Sequence, residues 1–133
     1  MGKDDAGDWR ERIVRGVDRF VDIRGLAPDE AARRIDRDRI DILVDLMGLM
    51  RPHAFPILAR RPAPIQVSFL GYPGTMGVDY VDYLIADSTV APPEHQPYYT
   101  ERLYQVPRTW AARRLRDDRI AIVLIGHDQR GLV

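Results

Sequence analysis

The chain of 133 residues contains no cysteine. That excludes a disulfide framework and any metal site built on thiolates, and it fits a reducing cytoplasm. No apolar run approaches the ~20 residues that a helix needs to cross a bilayer. The polar start "MGKDDAGDWR" is unlike a signal peptide. Net charge is missing too, because 20 Lys and Arg balance 20 Asp and Glu. A neutral balance gives no electrostatic basis for broad nucleic-acid binding. Lys3 is the single lysine among scattered arginines, which reads first as a coding bias. His53, His95 and His127 stand alone in loops or in the tail, as surface histidines do. There is no nucleophile triad, no Rossmann glycine fingerprint and no P-loop. Tyr80, Tyr83, Tyr98, Tyr99 and Tyr104 lack the basic interleaving of a nucleic-acid platform.

Apolar residues are 45% of the chain, enough to form the core of one domain. Trp9, Ile13, Val14, Val17, Phe20 and Val21 recur at helical spacing, which predicts a helix over 9–21 weakened at Gly16. Gly25 follows a short extended segment. Pro28, Asp29 and Glu30 suit the start of a second helix with Ala31, Ala32 and Ile35 on its inner face. "IDILVDL" (40–46) reads as a strand covered on both faces, as in parallel sheets. "AFPILARR" makes a short helix that Pro62 and Pro64 stop. "IQVSFL", "VDYLIAD" and "RLYQVP" supply three more strands, with the proline-rich "APPEHQPYY" between the last two. Helix and strand in alternation favour an α/β layer with right-handed crossovers. The expected boundary falls at 107. Residues 108–133 form a divergent tail with a basic helix, "RTWAARRLRDDR", and an apolar strand, "IAIVLIG".

Ligands in parallel α/β sheets bind beyond the carboxyl ends of strands. Two loops occupy such places. One runs from Gly48 to His53 after the first strand, with Asp45 at the strand end and Arg51 within the loop. The other is "LGYPGTMG", with Gly71, Gly74 and Gly77 around Pro73. Glycine lets backbone N–H groups approach an oxyanion or a sugar hydroxyl, and Thr75 adds a hydroxyl. The commoner use of Pro-Gly is a type II turn, here with Pro73 and Gly74 central; the ligand loop is the alternative. Asp41 and Asp45 are four apart on a strand and so share a face. They can hold a metal or share a proton. With no His or Glu cluster beside them, a solvated Asp41 and an Asp45 bonded to a loop amide is the simpler reading.

The strings "DILVDLMG", "RPAPIQ", "LGYPGT" and "DYLIAD", with flanks "DRFVDIRGLAPDEAARRI" and "PPEHQPYYTERLYQVP", resemble the catalytic region of the O-GlcNAc transferase/SPINDLY family, glycosyltransferase family 41, over about residues 8–107. The resemblance implies an α/β fold: residues 1–107 as part of the N-terminal Rossmann-like lobe of a two-lobed, GT-B type enzyme, with a mostly parallel sheet and flanking helices. It implies sugar transfer from UDP-GlcNAc to Ser or Thr of proteins, without a metal. By the same resemblance Leu70 and Gly71 line the sugar pocket through their backbone, while Tyr72, Pro73, Gly74 and Thr75 complete and shape the loop. Implied partners are the nucleotide sugar, a protein acceptor, and a missing catalytic lobe or tetratricopeptide repeats; nucleic acid and membrane are not among them.

The family's Asp-Phe-x-x-His-Pro motif and its donor-holding C-terminal lobe do not occur in the chain. Leu49 and Met50 stand where the family shows polar residues, and Ala54 lies near its arginine. The expectation is therefore a fragment, from a truncated or frame-shifted gene, that is inactive alone. The alternative is a non-catalytic interaction module or degenerate remnant that retains the lobe fold.

Overall fold

The computed structural model describes residues 7–50, 54–69, 71–106 and 120–123. The first helix, α1, spans Asp8–Gly16, shorter than the stripe of apolar residues suggests. Gly16 is a poor helix former, and Val17 already lies in extended backbone (φ −119°, ψ 149°). The chain then returns along the helix. The Arg10 guanidinium sits 5.0 Å from the Phe20 ring centroid and 3.4 Å from Asp22, so Phe20 meets α1 from outside instead of extending it.

The second helix, α2, spans Pro28–Arg37. Pro28 has no N–H to lose at the first turn, and the Glu30 carboxylate accepts the Ala27 N–H at 3.3 Å. Ala27 itself has no side-chain acceptor, so the Glu30 N–H bonds the Ala27 carbonyl at 2.9 Å. Ala31, Ala32 and Ile35 are buried, as their spacing predicts. A short helix, α3 (Phe55–Leu58), adds Ile57 and Leu58 to the same core.

Among the described residues five strands form one parallel sheet: β1 (Ile42–Asp45), β2 (Ile65–Phe69), β3 (Tyr83–Ala86), β4 (Arg102–Gln105) and β5 (Ile120–Val123). Their order is β4-β3-β2-β1-β5. The apolar strand of the tail thus joins the sheet beside β1, on the side away from β2. The basic helix expected before it lies outside the described residues. The proline-rich connection forms a 3-10 helix, Pro93–Tyr98.

The register sets Leu43 beside Gln66 and Asp45 beside Ser68. Leu43 packs with α2, α3, Met76 and Val81 in the core. Alternation puts Ile42, Val44, Ile65, Val67 and Tyr104 on the opposite face. In β2 the alternating pattern locates the strand, but its polar residues are the better buried. Gln66 is 0% exposed and Ile65 is 37% exposed. Gln66 is held inside because its side-chain NH2 donates to the carbonyls of Leu58, at 2.9 Å, and Tyr80.

Candidate functional site: two loops at the carboxyl ends of β1 and β2

All strands point the same way, so the loops after β1 and β2 leave the sheet along one edge as neighbours. Asp45 ends β1 and is 2% exposed. Its two carboxylate oxygens accept the N–H groups of Met47 (3.0 Å) and Gly48 (2.9 Å). The buried aspartate therefore shapes the first loop. Asp41 lies before the strand and is exposed, so the two carboxylates do not form a pair. No group of His, Cys, Asp or Glu suited to a metal occurs among the described residues.

The two loops interlock through glycines. Gly48 has φ +58°, and a Cβ there would lie 2.5 Å from Tyr72 Cβ. A Cβ on Gly71 would lie 2.1 Å from the Leu46 carbonyl oxygen. Both close approaches need glycine, one from each loop. Tyr72 is half-buried and packs against the core.

The type II turn at "YPGT" is not formed. It requires φ above zero at its second central residue, and Gly74 is not among the glycines with positive φ. Contacts from the segment before β4 override the local preference. Tyr99 donates its hydroxyl to the Pro73 carbonyl (3.3 Å). Thr75 donates its hydroxyl to Glu101 Oε2 (2.8 Å), and Glu101 Oε1 accepts the Met76 N–H (2.6 Å). Thr75 Oγ1 in turn accepts the N–H groups of Gly77 (3.1 Å) and Thr100 (3.2 Å). The Thr75 hydroxyl is a structural element of the loop. Among the described residues the backbone N–H groups of Tyr72, Gly74 and Thr75 donate to no protein acceptor.

Of the residues singled out from sequence, the structure brings together Asp45, Gly48, Gly71, Tyr72, Pro73, Gly74 and Thr75. Leu70, Arg51, His53 and His127 lie outside the described residues. Glu101 was not foreseen. Its signal was a carboxylate immediately before a short strand, but its partner is 25 residues away in sequence.

A second group ties the remaining motifs together. Asp82 accepts the Gln66 N–H (2.7 Å), and its carboxylate oxygens accept from Arg61 at 3.0 and 3.2 Å. Thus "RPAPIQ" and "VDYLIAD" support β2 and β3 from below, at the strand ends opposite the loops.

Comparison with known proteins shows the family and the fold. A model of glycosyl transferase family 41 matches residues 1–117. The probable UDP-N-acetylglucosamine-peptide N-acetylglucosaminyltransferase SEC of Arabidopsis thaliana is 37% identical over 110 residues, which are 83% of this chain and 11% of the relative. The UDP-N-acetylglucosamine-peptide N-acetylglucosaminyltransferase of Caenorhabditis elegans is 35% identical over 111 residues, 83% of this chain and 10% of the relative. Among solved structures, a mutant O-GlcNAc transferase from Thermobaculum terrenum superposes with a TM-score of 0.73 at 38% identity, covering 77% of this chain and 20% of the other. The chain spans about a tenth of the length of the curated relatives it matches.

Proposed function

We propose, since the chain belongs to glycosyl transferase family 41, that it forms the sugar-end part of a protein O-linked N-acetylglucosaminyltransferase. UDP-GlcNAc is the donor in this reading, and Ser or Thr of a protein is the acceptor. Leu70 and Gly71 line the sugar through their backbone, Tyr72 to Thr75 complete the loop, and Asp45, Gly48 and Arg51 belong to the loop beside it. The observation that carries the reading is the interlock of Gly48 with Tyr72 and of Gly71 with Leu46 at one sheet edge, within a family match that covers most of the chain. No metal is required, and a cytoplasmic setting goes with the reading.

The chain alone is inactive in this proposal. Transfer from a nucleotide sugar builds negative charge on the departing diphosphate, and preorganised donors must meet it there. In this reading the chain provides a loop for the sugar, and the described residues of the two loops, 46–50 and 71–77, include no Lys, Arg or His to meet the diphosphate. Incubation of the purified chain with UDP-GlcNAc and a Ser-containing peptide is expected to give no glycopeptide by mass spectrometry. Steady turnover would overturn the inactivity.

A second reading is a non-catalytic module that keeps the lobe fold and docks on a separately encoded catalytic lobe or on tetratricopeptide repeats. The exposure of Ile65 and Tyr104 on the second face of the sheet favours it, because parallel sheets are normally covered on both faces. A pull-down that gives a stoichiometric complex supports this reading; a monomer at all concentrations counts against it.

A further inference from the structure

Glu101 is 1% exposed and immediately precedes β4. Buried carboxylates usually meet a cation. Among the described residues Glu101 has none, and its charge faces only neutral donors. Those donors are consecutive, the hydroxyl of Thr75 and the N–H of Met76. An ionised carboxylate is acceptor-only at both oxygens, so it satisfies two donors side by side. A glutamine there would present an acceptor to one and a donor to the other. Glu101 also fixes the direction of the Thr75 O–H bond, which leaves Oγ1 to accept from Gly77 and Thr100.

The loop is thereby divided. The N–H groups of Met76 and Gly77 are held within the protein. Those of Tyr72, Gly74 and Thr75 have no protein acceptor among the described residues. The backbone of Glu101 is anchored in its turn, since its carbonyl accepts from Gln96 Nε2 at 2.9 Å.

We propose that Glu101 is a positioning residue for donor-sugar binding: by holding Thr75 and Met76 it presents the amides of Tyr72, Gly74 and Thr75 to the hydroxyl and acetamido oxygens of the sugar. This rests on the sugar-end reading of the loop. Glu101 acts through the loop and touches no substrate.

The test uses the full chain, labelled with nitrogen-15, in two arms. Without ligand, amide hydrogen exchange is read at Met76 and Gly77 in wild type, E101Q, T75V and T75S. With ligand, amide shifts are followed during titration with UDP-GlcNAc, with UDP alone as control. Wild type is expected to show shifts at Tyr72, Gly74 and Thr75 with UDP-GlcNAc and not with UDP. E101Q and T75V are expected to speed exchange at Met76 and Gly77 and weaken the sugar-dependent response about tenfold, the loss of roughly one charge-assisted bond. T75S, which keeps the hydroxyl, restores both readouts. If E101Q fails to fold, T75V and T75S carry the same comparison. Wild-type affinity in a folded E101Q or in T75V overturns the positioning role while leaving the sugar-end reading intact. A wild type that responds equally to UDP and UDP-GlcNAc overturns the sugar-end reading and this role with it.

Discussion

Asp82 and Arg61 form an ion pair at 3.0 Å, but the more consequential partner of Asp82 is the Gln66 N–H at 2.7 Å. Arg61 is 42% exposed in its side chain, and pairs that wet contribute about 0–1 kcal/mol. The Gln66 N–H is partly buried at the start of β2, and leaving such a donor without an acceptor costs about 1–3 kcal/mol. D82A is therefore expected to destabilise the chain by roughly 2–3 kcal/mol, while R61A costs under about 1 kcal/mol. D82N keeps an acceptor for Gln66 and should resemble R61A. Urea unfolding of the three variants decides the matter. An R61A loss as large as that of D82A would mean the ion pair, and not the backbone bond, does the holding.

The interlock of the two loops makes Gly48 far less replaceable than Gly77. Both have left-handed backbone, φ +58° and +66°, which costs an alanine about 1–2 kcal/mol. A Cβ at Gly77 meets open space, but at Gly48 it meets Tyr72 Cβ at 2.5 Å. G77A is expected to lose about 1–2 kcal/mol and G48A roughly 3–4 kcal/mol, because the Tyr72 backbone must move as well. Equal midpoints in denaturant would show that the second loop yields cheaply, and that the interlock is loose.

How much of this was legible in the sequence depends on the range of the interaction. The strands β1 to β4 were legible because short apolar runs bounded by Pro, Gly and Asp need no distant partner to be recognised. The loop after β2 was legible as a glycine-rich loop following a buried strand. Its conformation was not. Pro73-Gly74 carries a local preference for a type II turn, and the bonds from Tyr99, Thr100 and Glu101 override it. Those partners reach the loop only because β3 and β4 pair in parallel, which no local pattern encodes. The end of α1 was missed for a similar reason. Phe20 continues the helical spacing in sequence, yet it is captured by Arg10 across a turn. Gln66 departs from the usual pattern, in which a polar residue between apolar ones marks the wet face of a strand. Here its side chain replaces backbone partners for Leu58 and Tyr80 inside the core.

Acid should erase the contribution of Asp22. The hydrogen bond from the Arg24 side chain, aided by the Arg24 backbone N–H and by Arg10, holds its carboxyl well below the usual carboxylate range. An unfolded aspartate titrates near about 3.9. With the folded pKa depressed, the unfolded chain binds the proton more readily between the two values. The stabilisation is thus present above about pH 4 and fades as pH falls below it. Wild type and D22N should differ in urea midpoint by a constant amount from neutral pH to about pH 5, then converge on further acidification. Because Asp22 is largely solvated, high salt should shrink the difference at neutral pH. A gap that persists unchanged into strong acid would exclude this ion pair as its source.

Among the described residues Gln96 caps the start of the outer edge of β4, and its removal should be visible as self-association. Edge strands expose unpaired N–H and C=O groups that recruit other chains. On the outer side of β4 the Glu101 carbonyl accepts from Gln96 Nε2 at 2.9 Å, and the Leu103 N–H donates to Gln96 Oε1 at 2.9 Å. The primary amide thus meets one carbonyl and one N–H, two residues apart, as a neighbouring strand would. The 3-10 helix Pro93–Tyr98 sets Gln96 there, with prolines at its start and at Pro97 limiting its freedom. Gln96→Ala removes both bonds and leaves Tyr104, 60% exposed, beside an open edge. The variant should lose about 1–2 kcal/mol and show a sedimentation coefficient that rises with concentration, while Gln96→Glu, which keeps only the acceptor, falls between. A Gln96→Ala chain that sediments as wild type across the same range would place the protection of the edge elsewhere.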